Sequence, residues 1–265
     1  MSRIDEVFAN LRAARRPGLV TYVTAGDPDL ARSAGILQAL DRAGVDVLEV
    51  GVPFSDPLAD GPVIQRATER ALAAGGSLSA TLDMLKGIRA GLTAPIVLFS
   101  YANPLLRMGV DRFAARAAEA GVNGVLVLDL PIEEAGTFRD TMAAAGIDMI
   151  FLLSPTTTVE RIRLAARLGR GFLYGISRLG VTGARDQVAA GAADLVARIR
   201  RETTLPIALG FGISRPEHVR EVCRSADAAV VGSGLVDVIA RAGTSPDLFE
   251  RVEAYVGWLK GTPVD

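Results

Sequence analysis

The chain has 265 residues, of which 49% are hydrophobic and 22% charged, with a formal net charge of -1. That composition supports a sizeable buried core and excludes a disordered chain or a dedicated nucleic-acid surface. One Cys and one His exclude a disulfide framework, a thiolate cluster and a multi-histidine metal site. The segment Met1–Glu6 is too acidic and polar for a signal peptide, and no apolar run approaches the ~18 residues of a membrane span. A soluble cytoplasmic protein is the expectation.

In chain order, Ser2 is placed to cap a helix with the stripe Ile4, Val7, Phe8 and Leu11. Short β-rich runs then recur: Gly18–Thr24, Val45–Val50, Pro95–Phe99, Gly124–Leu128, Ile147–Leu153, Gly171–Ile176, Pro206–Leu209 and Ala228–Val231. Their mean step is about 30 residues, the length of a βαβ unit. Between them lie helical stretches such as Asp29–Ala43, Arg112–Ala120, Glu133–Ala145 and Glu160–Leu168, and Leu248–Leu259 reads as a terminal helix. A weak repeat, Ala43-Gly44-Val45, Ala120-Gly121-Val122 and Ala145-Gly146-Ile147, marks places where a glycine ends a helix before a strand. The pattern predicts an α/β fold, a (β/α)8 TIM barrel with an extra N-terminal helix and a C-terminal helix, in one domain over residues 1–265. An open doubly wound sheet is the rival.

Barrel sites lie at the C-terminal ends of strands. Alternation puts Val45, Val47 and Glu49 on one face, so an inward face would set Glu49 in the mouth among apolar side chains. Burial would raise its pKa toward neutrality and suit it to donating and accepting a proton. The bland alternative is a carboxylate satisfied by a neighbouring donor. The loop after it, residues 51–62, holds three prolines and the carboxylates Asp56 and Asp60, either of which could be a turn residue. Asp129 ends another predicted strand and reads as structural or partner-facing. Asp46, Asn123, Asp148 and Asp227 sit at strand starts, on the face that serves stability.

Glycines cluster late, in Gly180-Val181-Thr182-Gly183, Gly210-Phe211-Gly212 and Gly232-Ser233-Gly234. Such loops, leading into helix N-termini, are where this fold cradles phosphate. The only lysines, Lys86 and Lys260, fall in helical stretches, which disfavours a Schiff base. His218 opens a helix and reads as a surface residue, and Cys223 as inert packing. Any C–C cleavage would then run on carboxylates alone. It would need a substrate with its own electron sink, such as a heteroaromatic ring that leaves once a carbon is protonated.

The run Leu48-Glu49-Val50-Gly51-Val52-Pro53-Phe54-Ser55-Asp56-Pro57-Leu58-Ala59-Asp60-Gly61-Pro62 resembles the signature of tryptophan synthase alpha chains. So do Thr24–Pro28, Tyr101-Ala102-Asn103-Pro104, Asp129-Leu130-Pro131, Ser177 with Gly180–Gly183, and Gly210–Ile213. The resemblance covers essentially the whole chain. It implies a lyase of tryptophan biosynthesis that splits indole-3-glycerol phosphate into indole and glyceraldehyde 3-phosphate. By that likeness Glu49 protonates indole C3 and takes the glycerol hydroxyl proton, and Asp60 accepts the indole N–H. Tyr174 lies beside Glu49, and Thr182 belongs to a closing loop that contacts Asp60. Tyr22, where members often carry Phe, packs on the indole with Phe99, Tyr101, Leu126 and Leu152, some of which would otherwise be plain barrel core. Gly183, Phe211, Gly212, Gly232 and Ser233 hold the phosphate. The implied partner is a pyridoxal-phosphate beta chain in an α2β2 complex, faced by Asp56, Asn103 and Pro104. The chain itself needs no metal and no cofactor. A stand-alone lyase, a mainly allosteric activating subunit and a phosphosugar isomerase are the alternatives.

Overall fold

A computed structural model of the chain describes residues 1–176, 191–210 and 212–261. Eight parallel strands close into a barrel in sequence order. They are β1 (Gly18–Thr24), β2 (Val47–Gly51), β3 (Ile96–Ser100), β4 (Gly124–Val127), β5 (Asp148–Leu153), β6 (Leu173–Ile176), β7 (Ile207–Gly210) and β8 (Ala228–Val231). The helices are α1 (Arg3–Ala13), α2 (Leu30–Arg42), α3 (Pro62–Ala73), α4 (Leu78–Ile88), α5 (Ala102–Met108) and α6 (Val110–Glu119). They continue with α7 (Gly136–Ala144), α8 (Val159–Leu168), α9 (Gly191–Arg200), α10 (Pro216–Val222), α11 (Ser233–Ala242) and α12 (Leu248–Leu259). The barrel, not the open sheet, is the fold. The pair α3 and α4 explains why the step from β2 to β3 exceeds the repeat.

Each strand is apolar on both faces because both are covered. Inward residues Val20, Val47, Val97, Leu126, Ile150, Phe172, Ala208 and Ala228 fill the barrel. Outward residues such as Leu48, Val50, Leu98 and Val125 pack under the helices. Helix α1 closes the barrel floor. Ser2 accepts from Asp5 N–H and Asp5 reaches back in a capping box, and Ile4, Phe8 and Leu11 enter the interior cluster. Phe8 meets Phe172 with ring centroids 5.5 Å apart.

Side chains at strand starts lace this floor. Asp46 accepts the Leu19 N–H at 2.8 Å, Asn123 the Ile96 N–H at 3.0 Å and Asp227 the Ile207 N–H at 2.7 Å. Asp148 accepts the Ser2 hydroxyl at 2.5 Å. The Ala-Gly repeat is a structural device: Gly44, Gly121 and Gly146 have φ of 76, 71 and 75°, which a side chain disfavours.

Three expectations need correction. Val45 precedes β2 and packs in the outer shell, so inward alternation starts at Val47. The stretch 133–145 is a 3-10 turn, Ile132–Glu134, followed by α7, because residues 132–135 turn before the helix sets in. His218 is buried, at 5% exposure, because it folds back under its own loop.

Candidate active site

The mouth of the barrel holds a cavity of about 930 Å³, open to solvent. Glu49, Asp60, Tyr22, Phe99, Leu152, Tyr174, Gly212, Gly232 and Ser233 all line it. Glu49 is inward because β2 alternates from Val47, and its cross-strand neighbour on β1 is Tyr22. It is 1% exposed, and neither carboxylate oxygen has a hydrogen-bond partner among the described residues. Desolvation alone pushes its pKa up from 4.5 to about 8. Among the described residues no donor satisfies this glutamate, and burial favours its neutral form.

Asp60 comes from the loop between β2 and α3. Its Oδ2 accepts the Tyr101 hydroxyl at 2.9 Å, and the Tyr101 oxygen accepts the Ala59 N–H at 3.0 Å. Gln65 on α3 donates to the Asp60 carbonyl at 2.9 Å. Burial raises the Asp60 pKa, and the bond from Tyr101 opposes that rise. The two carboxylates thus differ in kind: Glu49 is buried without a partner among the described residues, which favours its neutral form, while Asp60 is hydrogen-bonded. Such a split suits one to moving protons and the other to accepting a hydrogen bond from a ligand.

The walls between them are apolar and aromatic. Tyr22 meets Phe99 edge-on, with centroids 5.4 Å apart. Burial raises the phenol pKa of both Tyr22 and Tyr174 well above the ordinary value. The Tyr22 hydroxyl rests where Gly51 has no Cβ, so the extra oxygen is accommodated. At the far side the loops after β7 and β8 meet. Gly232 caps α11, whose first-turn N–H groups lack intrahelical acceptors and favour an anion.

Similarity to known proteins follows the same pattern. A family model described as "Tryptophan synthase alpha chain" matches residues 8–261. A tryptophan synthase alpha chain of Geobacter sulfurreducens is 49% identical over 260 residues, covering 98% of each chain. The chain belongs to the tryptophan synthase alpha-chain family. The crystal structure of tryptophan synthase subunit alpha from Legionella pneumophila superposes with a TM-score of 0.89 at 36% identity, covering 99% of this chain and 98% of that one. A Pyrococcus furiosus tryptophan synthase complex matches at 0.86 and 38%, covering 92% and 98%.

Set against the family signature, the placement of the expected residues is uneven. Tyr101 acts on the mouth through Asp60 rather than as a wall. Leu126 does not line the cavity; it lies one layer lower in the barrel core, and Leu128 takes the mouth position. Leu128 and Ile176, the next inward residues by alternation, also line the cavity. So do Ile64 and Val230, together with Ile213, Ser214 and Gly234 from the glycine-rich segments after β7 and β8. Thr182, Gly183 and Phe211 lie outside the described residues. Asp56 accepts the Ser55 hydroxyl on the rim and faces solvent, as does Asn103 on α5, where Pro104 follows. The Tyr101–Ala59 bond brings these two rim segments together, and they carry Leu58 and Leu106, which are 90% and 61% exposed. Asp129 is structural, accepting the Ala102 N–H at 2.6 Å at the start of α5. Lys86 pairs with Glu119, and Lys260 donates to the Ala43 and Gly44 carbonyls, both outside the cavity. Among the described residues no cluster of three His, Cys, Asp or Glu could hold a metal, and no helix is long and apolar enough to cross a membrane.

Proposed function

We propose that this chain is the α subunit of a tryptophan synthase and a carbon–carbon lyase. It cleaves indole-3-glycerol phosphate into indole and glyceraldehyde 3-phosphate. The observation that carries this reading is that the buried, unpartnered Glu49 and the hydrogen-bonded Asp60 line one cavity with Tyr22, Phe99 and Tyr174. Glu49 gives its proton to indole C3 while Asp60 accepts the ring N–H and steadies the positive charge. The ring then takes up the electrons of the breaking C3–C3′ bond. The Glu49 carboxylate recovers a proton from the C3′ hydroxyl, which becomes the aldehyde. Atoms and charge balance, and the acid is regenerated. Each positioned proton transfer contributes about 10²–10⁴ in rate.

Tyr22, Phe99 and Leu152 flank the indole, with Tyr174 beside Glu49, and Gly212, Gly232 and Ser233 receive the phosphate through backbone N–H groups and a hydroxyl. The exposed Leu58 and Leu106, on the rim with Asp56, Asn103 and Pro104, form the face for a pyridoxal-phosphate beta chain in an α2β2 complex. The free Cys223 suits a reducing cytoplasm. The test is indole release from indole-3-glycerol phosphate, with and without a beta chain. Glu49→Gln should abolish it in a folded protein. Full activity of that variant, or full activity of the wild type with no response to any beta chain, would overturn the catalytic or the partner part respectively.

A further inference from the structure

We infer that His218 and Tyr255 are positioning residues for the phosphate end of the site, acting through Ser214. The inference rests on the proposed reaction. Ser214 lines the cavity with Gly212, Gly232 and Ser233. Its backbone is held from behind at both polar groups. The Ser214 N–H donates to His218 Nδ1 at 3.3 Å, and its carbonyl accepts the Tyr255 hydroxyl at 3.0 Å. A Cβ on Gly234 would run into that same hydroxyl and would lie 3.1 Å from the Ser214 Cβ. The loops after β7 and β8 therefore interlock around the Tyr255 hydroxyl, and α12 is tied to the cradle.

The lone histidine is suited to this. It sits in the first turn of α10, four residues after Ser214, and reaches back to the N–H that precedes the helix cap. Neither side chain lines the cavity. Their effect is to fix where the cradle backbone points, so it falls on phosphate affinity and not on proton transfer at Glu49. Among the described residues of this end, Gly212, Ser214, Gly232, Ser233 and Gly234, none carries a charge that could compensate for a misplaced loop. Helix α12 packs on α2, α10 and α11, which gives the Tyr255 brace a rigid base.

The test uses the full chain and three variants: His218→Leu, His218→Asn and Tyr255→Phe. The Asn carboxamide oxygen can take the place of Nδ1 as acceptor. Binding of glycerol 3-phosphate and of indole is measured separately, beside kcat and KM for indole-3-glycerol phosphate. Loss of one such bond should weaken glycerol 3-phosphate binding about fivefold and raise KM in parallel, with kcat within about twofold. Indole binding should not move, and His218→Asn should recover most of the loss. Tyr255→Phe removes only a hydroxyl, so it decides the matter if His218→Leu does not fold. Unchanged glycerol 3-phosphate affinity in Tyr255→Phe would overturn the inference. So would equal weakening of indole binding, or an Asn variant no better than Leu. A folded wild type that binds neither probe would instead overturn the proposed reaction, and this inference with it.

Discussion

Replacing Glu49 by Gln should shift the stability difference in the variant's favour as pH rises. Glu49 is buried with both oxygens unpartnered among the described residues, and burial holds its pKa at about 8. In the unfolded chain it returns to about 4.5. Between those values the folded chain keeps a proton that the unfolded chain releases. Stability therefore falls as pH rises through the window, by at most about 1.4 kcal/mol per pH step. Relative to a chain that stays neutral, the deficit is about 1 kcal/mol at pH 5, about 3 at pH 7 and about 5 at pH 9. Glutamine keeps the shape and does not titrate. Its unsatisfied amide adds a constant offset, so the slope carries the test. Urea unfolding of both proteins at pH 5, 7 and 9 measures it. A stability difference that is flat from pH 5 to 9 would show that Glu49 is solvated or paired, and would refute the argument. The same pKa places the alkaline limb of wild-type kcat/KM near pH 8, since the acid form must donate first.

Two further substitutions probe the surroundings. Tyr101→Phe removes the donor to Asp60 and the acceptor for Ala59 N–H; kcat/KM should fall about 10- to 100-fold, as for a hydrogen bond to a charged group. The Asp60 pKa should rise, so the acid limb of the kcat/KM profile moves to higher pH. An unmoved acid limb would mean that this bond does not govern Asp60. Gly51→Ala puts a methyl into the Tyr22 ring and hydroxyl and should cost about 1–3 kcal/mol in urea unfolding. Tyr22→Phe in the same chain should recover part of that cost; an additive double variant would show that the two residues do not meet.

The barrel was legible because its signal is local and repeated. Strand after strand carries aliphatic residues between helices closed by an αL glycine, and β1, β8 and α12 have the bounds that their sequence suggests. Glu49 was legible for the same reason, as one polar residue on an alternating apolar strand. Leu126 was misplaced because alternation fixes which face a residue is on and says nothing of its depth. Depth follows from strand tilt and from how far α1 fills the floor. Val45 was misplaced because a helix-to-strand turn looks like the first residue of a strand. His218 looked like a surface residue because it follows Arg215-Pro216-Glu217, all polar or turn-forming. Its burial comes from a loop folding over it.

By itself, the sequence determined the repeat, the inward position of Glu49 and the scarcity of rival nucleophiles and bases, with one His, one Cys and only two lysines, one on a helix and one just past a helix end. These are properties of single segments and of composition. Only the tertiary structure decided that no donor among the described residues reaches Glu49, that Asp60 is met by a tyrosine 41 residues away, and that the lone histidine accepts the Ser214 N–H. Desolvation and hydrogen bonding depend on which groups barrel closure brings within about 3 Å. No periodicity along the chain encodes that.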